Sequence, residues 1–273
     1  MSVKTSKTPG NEALSWPPRA PLANGGDGRE QGRNSASGVL YGIGVGPGSP
    51  DLLTLRAVAA LRSARVVLAA ASPGNEYSLA LSIAAPHLPE DAEILRLNFP
   101  MTRDARILEQ AWSDNARQVL EVLHSGRDAA FLTLGDPLIY STFGYLLHTL
   151  QTLEPGVTAR VIPGITSYQE AAARSRTVLC QGGENLLIVS GINDADRLAQ
   201  AMRLADSAVI LKAYRNFSTI SEVLRANGRS GHSLFASRLG LDNEILLRGL
   251  ENVPENPHYL SLILAPPDRS GSE

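Results

Sequence analysis

From Gly38 onward, short runs of β-branched and aliphatic residues alternate with longer stretches whose apolar positions recur every three or four residues. The runs Val39–Val45, Arg65–Ala70, Glu93–Leu97, Ala129–Leu134 and Thr158–Ile162 read as strands. Helices are expected between them at Leu52–Ser63, Tyr77–Ala85, Arg103–His124 and Thr142–Leu153. Strands that alternate with helices build a mostly parallel sheet covered on both faces, because each parallel crossover takes a helix's length of chain. After the polar segment Cys180-Gln-Gly-Gly-Glu184 the rhythm changes. Strands are expected at Leu186–Ser190, Ala208–Ala213, Ser233–Ser237, Glu244–Arg248 and Tyr259–Leu264, with helices only at Ala195–Leu204 and Phe217–Ala226. Late strands with few helices between them require a mixed sheet, hence a second domain of different build. The expected class is therefore α/β, with one α/β domain over 38–183 and a second over 184–268.

Residues 1–37 break the pattern: 17 of them are Gly, Pro, Ser or Asn, and no apolar period develops. Such a segment cannot bury enough apolar surface to offset the entropy of ordering, so a disordered extension is expected there. Over the whole chain of 273 residues, 25 Lys+Arg against 27 Asp+Glu leave a formal charge of −2, so no global basic field attracts nucleic acid. The longest apolar runs, such as Val66–Ala71, are far shorter than the roughly 20 residues a membrane span requires, and no signal peptide is recognisable. The single cysteine, Cys180, has no partner for an internal disulfide, which suits a reducing cytoplasm, and no basic neighbour to activate its thiol. The five histidines, His87, His124, His148, His232 and His258, show no metal-ligand spacing, so no metal site is expected.

The sharpest local feature is Tyr41-Gly-Ile-Gly-Val-Gly-Pro-Gly-Ser-Pro-Asp51, a glycine-rich turn leaving the first strand. It is not a dinucleotide fingerprint. Counting six places from Gly42, Gly44 or Gly46 ends on Pro47, Ser49 or Asp51, never on the third glycine that G-x-G-x-x-G requires. No Gly-Lys-Ser/Thr follows either, so a phosphate-binding P-loop is excluded. What remains is a turn that allows close backbone approach, with Asp51 as a candidate cap for the next helix. A second turn, Leu132-Thr-Leu-Gly-Asp-Pro-Leu-Ile-Tyr-Ser-Thr142, follows the fourth strand, and a third, Val161-Ile-Pro-Gly-Ile-Thr-Ser167, follows the fifth. Ligands of open α/β sheets sit beyond the carboxyl ends of strands, so three such turns mark out a pocket. Ser141 and Thr142 place hydroxyls at a helix start, where they either cap the helix or reach a ligand.

Together, Gly-x-Gly-x-Gly-Pro-Gly-x-Pro-Asp-Leu-Leu-Thr at 42–54, Leu-Gly-Asp-Pro at 134–137 and Ile-Pro-Gly-Ile-Thr-Ser at 162–167 resemble the tetrapyrrole (corrin/porphyrin) methyltransferase family of corrin and sirohaem biosynthesis. The resemblance extends from Gly38 to about Pro266. The form Thr-Leu-Gly-Asp-Pro-Leu-Ile-Tyr-Ser-Thr, with Ala171-Ala-Ala173 after the third turn, is most similar to the branch that methylates C20 of precorrin-2 in cobalamin biosynthesis.

The resemblance implies a class III methyltransferase with S-adenosyl-methionine in a cleft between two α/β domains, no metal, a tetrapyrrole substrate, a cytoplasmic location and a homodimer. It further implies Pro47, Gly135, Asp136, Ser141 and Thr142 near the cofactor, with Leu211 and Lys212 approaching from the second domain. An activated sulfonium methyl needs mainly an aligned carbon nucleophile and exclusion of water, so the lack of a Ser-His-Asp or Cys-His arrangement fits. Loss of the proton from the methylated carbon calls for a base, and Tyr140 or a carboxylate is the candidate. A tetrapyrrole rich in carboxylates also needs cations, and residues 38–273 hold 19 Arg against one Lys. Arg103, Arg106, Arg174, Arg176 and Arg215 are the candidate clamps. Two other readings stay open: a methyltransferase of this fold acting at another corrin carbon, an RNA base or a protein residue, and a binding module without transfer activity.

Overall fold

In a computed structural model of the protein, which describes residues 37–71, 78–191 and 194–269, the strands assemble into two five-stranded sheets. The extension expected over 1–37 lies, as far as residue 36, outside the described residues, as does Tyr77 at the head of its expected helix.

The first sheet contains β1 (Leu40–Gly44), β2 (Val66–Ala71), β3 (Glu93–Asn98), β4 (Ala129–Thr133) and β5 (Ala159–Ile162), in the order β3-β2-β4-β1-β5 with every pair parallel. Alternate side chains enter opposite faces. Leu40, Phe131 and Leu68 pack beneath α3 (Ala105–His124) and α4 (Thr142–Leu153), whereas Ile43, Leu132 and Val67 pack beneath α1 (Leu55–Ser63) and α2 (Leu79–Ala84). Both faces are thus buried, which is why these strands read as unbroken apolar runs rather than alternating ones.

The second sheet contains β6 (Leu186–Ser190), β7 (Ser207–Leu211), β8 (Leu234–Ser237), β9 (Ile245–Arg248) and β10 (Ser261–Ala265), in the order β6-β7-β10-β8-β9. Only β6 and β7 run parallel, and the remaining pairs are antiparallel, so the expected mixed sheet forms. The helices α6 (Ala195–Leu204) and α7 (Phe217–Ala226) cover one face through Leu198, Ile220 and Leu224. A helix absent from the sequence reading, α5 (Ser167–Ser175), covers the other, with Ala171 packed among Val209, Leu234 and Leu262.

One helix start differs from expectation. The chain after the glycine turn makes a 3-10 turn at Pro50–Leu52, and α1 begins only at Leu55, capped by Thr54, whose hydroxyl accepts from Ala57 N at 3.1 Å. Asp51 does not cap α1; its carboxylate accepts from the Ser49 hydroxyl instead. Pro50 sets an early turn, and α1 starts where Thr54, three residues before Ala57, meets a free first-turn amide with its hydroxyl.

Candidate cofactor cleft between the two sheets

The three turns beyond β1, β4 and β5 cross one another in the space of a few ångströms. A Cβ on Gly44 would lie 2.4 Å from the Gly135 carbonyl oxygen, and one on Gly164 would lie 2.0 Å from the same atom. Only glycine allows that crossing. The Gly135 amide donates to Gly46 O at 2.8 Å, and Val45 N donates to Thr133 O at 3.0 Å. Gly135 itself has φ +64°, yet a Cβ there would meet nothing nearer than 3.8 Å. Its glycine is required by backbone handedness rather than by crowding.

Asp136 fastens this crossing. Its Oδ1 accepts from Leu138 N at 2.9 Å, and its Oδ2 accepts from Gly164 N at 3.2 Å. Helix capping is not its task, because Ser141 caps α4 by accepting from Phe143 N at 3.1 Å while its hydroxyl also meets Thr133 Oγ1 at 2.8 Å.

The crossing forms one wall of a cleft of about 180 Å³. Pro47, Leu134, Gly135, Asp136, Ile139 and Tyr140 come from the turns of the first sheet, and Thr166, Ser167 and Tyr168 from the start of α5. The opposite wall belongs to the second sheet: Leu211 and Lys212 beyond β7, Arg238 and Leu239 beyond β8, and Tyr259 to Leu262 entering β10. Of the residues expected near the cofactor, Pro47, Gly135, Asp136, Leu211 and Lys212 line this one cleft together. Ser141 and Thr142 stand behind the wall, at the start of α4.

Tyr140 lines the cleft and is 54% exposed; its hydroxyl reaches across to donate to Ile188 O on the edge strand β6 at 3.1 Å. Backbone strain gathers here. Tyr140, Lys212 and Arg238 all have φ between +51° and +56°, a region that costs a non-glycine residue roughly 1–2 kcal/mol.

Several lining residues escaped the sequence reading. Arg238, Tyr259 and Ser261 come from strand ends that meet the first sheet only because β10 lies between β7 and β8. Ser261 Oγ is buried and, among the described residues, has no hydrogen-bond partner, so the wall carries a polar atom with unmet capacity. Burial raises the Tyr259 phenol above its ordinary pKa of 10.0, with Tyr214 acting in the same direction, so Tyr259 stays neutral. Burial and Glu184 likewise raise the Cys180 thiol, which leaves it protonated and unreactive.

The five arginines proposed as clamps part company. Arg174 pairs with Glu244 at 2.6 Å and Glu170 at 3.6 Å, so its charge is already met. Arg106 is exposed in the first turn of α3, and Arg176 is exposed at the left-handed end of α5. Arg103 and Arg215 line one shared depression with Met101, Thr102 and Asn216. Among the described residues, no group of three or more His, Cys, Asp or Glu could hold a metal ion, and no helix is long and apolar enough to cross a membrane.

The family model for Tetrapyrrole (Corrin/Porphyrin) Methylases matches residues 39–252, a span that contains all three turns and both sheets except β10. The chain belongs to that family. It is 32% identical over 231 residues to a cobalt-precorrin-2 C(20)-methyltransferase of Salmonella typhimurium, covering 84% of this chain and 96% of that one. It is 31% identical over 240 residues to a precorrin-2 C(20)-methyltransferase of Sinorhizobium sp, covering 84% and 95% of the two chains. Among solved methylases, the uroporphyrin-III C-methyltransferase of Thermus thermophilus complexed with S-adenosyl homocysteine superposes with a TM-score of 0.60 at 25% identity, over 84% of this chain and 92% of that one. Two α/β layers with a cleft at their junction are therefore the architecture of a tetrapyrrole methylase.

Proposed function

We propose that the protein transfers a methyl group from S-adenosyl-methionine to C20 of precorrin-2 or its cobalt complex, in cobalamin biosynthesis. The observation that carries this reading is the match, over nearly the whole length of both chains, to a cobalt-precorrin-2 C(20)-methyltransferase. The cleft accords with it. Its walls are largely apolar, through Pro47, Leu134, Leu211, Leu239 and Leu262, which suits a nucleoside ring, and the buried, unpartnered Ser261 hydroxyl offers a bond to a polar ligand. The donor set fits S-adenosyl-methionine, which supplies when bound a methyl already activated on a sulfonium.

The chain's own residues have three tasks. Pro47, Gly135 and Asp136 on one side and Leu211 and Lys212 on the other hold the two reactants in line, at the roughly 3–3.5 Å of a near-attack geometry. Ser141 and Thr142 act from behind, by fixing the start of α4 and with it the turn that carries Gly135 and Asp136. Tyr140 closes the mouth through Ile188 and keeps water out. Tyr140 is also the candidate base for the proton lost from the methylated carbon, a step that requires its hydroxyl to leave Ile188 and to give up its own proton to solvent, so that the phenolate takes the proton from carbon. Tyr259 is unsuited to that step because burial favours its neutral phenol.

The same reading carries a homodimer in the cytoplasm, acting without metal on a diffusible tetrapyrrole and independently of membranes and nucleic acids. Its test is to mix the purified protein with S-adenosyl-methionine and freshly generated precorrin-2, or the cobalt complex, and weigh the product. One form heavier by one methyl group supports it, and both forms left unchanged overturn it.

A further inference from the structure

The segment Leu211–Asn216 lines two hollows in succession. Leu211 and Lys212 enter the cofactor cleft, while Arg215 and Asn216 enter the neighbouring depression, whose other side is Met101, Thr102 and Arg103 from the loop between β3 and α3. The two hollows are joined by a pair of rings: Tyr259 in the cleft lies edge to face with Tyr214, centroids 5.4 Å apart, and Tyr214 adjoins Arg215. The second hollow thus draws one arginine from each sheet's loops.

Among the described residues, neither guanidinium group has an acidic partner. Arg65, Arg117, Arg127, Arg174 and Arg269 each pair with an Asp or Glu. Among the described residues, Arg103 makes no hydrogen bond or ion pair. Arg215 donates only from Nε, to the Tyr214 hydroxyl at 2.9 Å, with its guanidinium carbon 5.7 Å from the same ring's centre. That bond fixes the plane of the group and leaves the paired Nη edge free, the edge that meets a carboxylate in two-point fashion. The adjacent Asp104 makes no ion pair with Arg103; its Oδ1 accepts from Arg106 N and Ile107 N at the start of α3.

We infer that Arg103 and Arg215 form a two-armed clamp for a side-chain carboxylate of the substrate, with Tyr214 as a positioning residue that aims Arg215. The inference rests on the tetrapyrrole reading above and adds which cations select the substrate and where its periphery lies: on the second hollow, one ring pair away from the cleft. The clamp binds and orients; it takes no part in methyl transfer. A polycarboxylate whose acid groups are esterified has nothing to offer it.

The test uses the full-length protein and uroporphyrin III, a polycarboxylate tetrapyrrole, as a fluorescent probe. Arg103→Gln and Arg215→Gln should each weaken probe binding about 10-fold or more, the scale of a lost charge-assisted hydrogen bond, and should steepen KM for precorrin-2 while leaving kcat within a few-fold. Arg215→Lys should recover only part of the loss, and Tyr214→Phe should raise KM by less than Arg215→Gln does. Calorimetry with S-adenosyl-homocysteine should give wild-type affinity in all four variants, which shows that they are folded and the cleft is intact. If wild type methylates precorrin-2 and both glutamine variants bind probe and substrate as wild type does, the clamp is wrong and the functional reading stands. If wild type neither binds the probe nor methylates either form of precorrin-2, the functional reading falls and the clamp with it.

Discussion

The Gly164 amide donates to Asp136 Oδ2 at 3.2 Å, so that one carboxylate joins the turn after β4 to the turn after β5, 28 residues further along the chain. The other oxygen of Asp136 holds Leu138 N at 2.9 Å within its own turn. Asp136 therefore shapes the cleft from inside its wall. Asp136→Ala should lower stability and S-adenosyl-homocysteine affinity together, stability by roughly 1–3 kcal/mol and affinity by about 10-fold, because two amides lose a charged acceptor. Urea unfolding and calorimetry on the same preparation check it; a loss of affinity with no loss of stability would mean that the carboxylate contacts the ligand and does not brace the turns.

The glycines of the crossing should differ sharply. Gly164→Ala puts a Cβ about 2.0 Å from the Gly135 carbonyl and should prevent or severely impair folding. Gly135→Ala has room but must hold φ near +64°, so it should fold with a cost of only about 1–2 kcal/mol. Thermal unfolding of the two proteins ranks them, and equal melting temperatures would refute the distinction.

Ser141 tests how far the wall extends. As the cap of α4, its replacement by alanine should cost about 1 kcal/mol and leave the affinity of the folded protein for S-adenosyl-homocysteine unchanged. A fall in affinity without a fall in stability would put Ser141 in contact with the cofactor.

His258, bonded to the cleft residue Leu260, should give the cleft a pH dependence. Burial lowers its pKa from the ordinary 6.5, Arg238 opposes its charge further, and its Nδ1 accepts from Leu260 N at 3.1 Å, a bond that only the neutral ring can make. A folded-state pKa below the unfolded one means that the unfolded chain binds the extra proton more readily. The contribution is therefore complete above about 6.5 and is lost as pH falls through the lower folded value. Because Leu260 lines the cleft, affinity for S-adenosyl-homocysteine should weaken with the same midpoint. His258→Gln should flatten that acid limb, and an unchanged limb would acquit the residue.

Both sheets were legible in the sequence because their strands are buried on one or both faces and stand out as apolar runs. The helix α5 was not, although its signal is present: Thr166 and Gln169 form a reciprocal capping box at its start, and Ala171 to Ala173 continue it. Its only fully buried residue is Ala171, so no apolar stripe announced it. The half of the cleft built by consecutive turns, Pro47, Gly135 and Asp136, was legible for the same local reason, since glycine and proline mark where backbone must turn. Arg238, Tyr259 and Ser261 were hidden because strand order in a mixed sheet leaves no local trace: β10 is last in the chain yet central in the sheet. Among the arginines, composition gave five equal candidates, and only the ion pairs of Arg174 and the shared hollow of Arg103 and Arg215 separated them.

The glycine turn that satisfies neither nucleotide fingerprint predicts a further exclusion. Calorimetry should find S-adenosyl-methionine and its demethylated product binding, and NAD or ATP binding at comparable affinity would contradict the structure of that turn.

The central claim is tested most directly by supplying S-adenosyl-methionine carbon-13-labelled at its methyl group together with precorrin-2 or its cobalt complex, and locating the label in the product by nuclear magnetic resonance. The account predicts one new labelled methyl carbon, bonded to C20. A label at any other ring carbon, or a product without label, would contradict it.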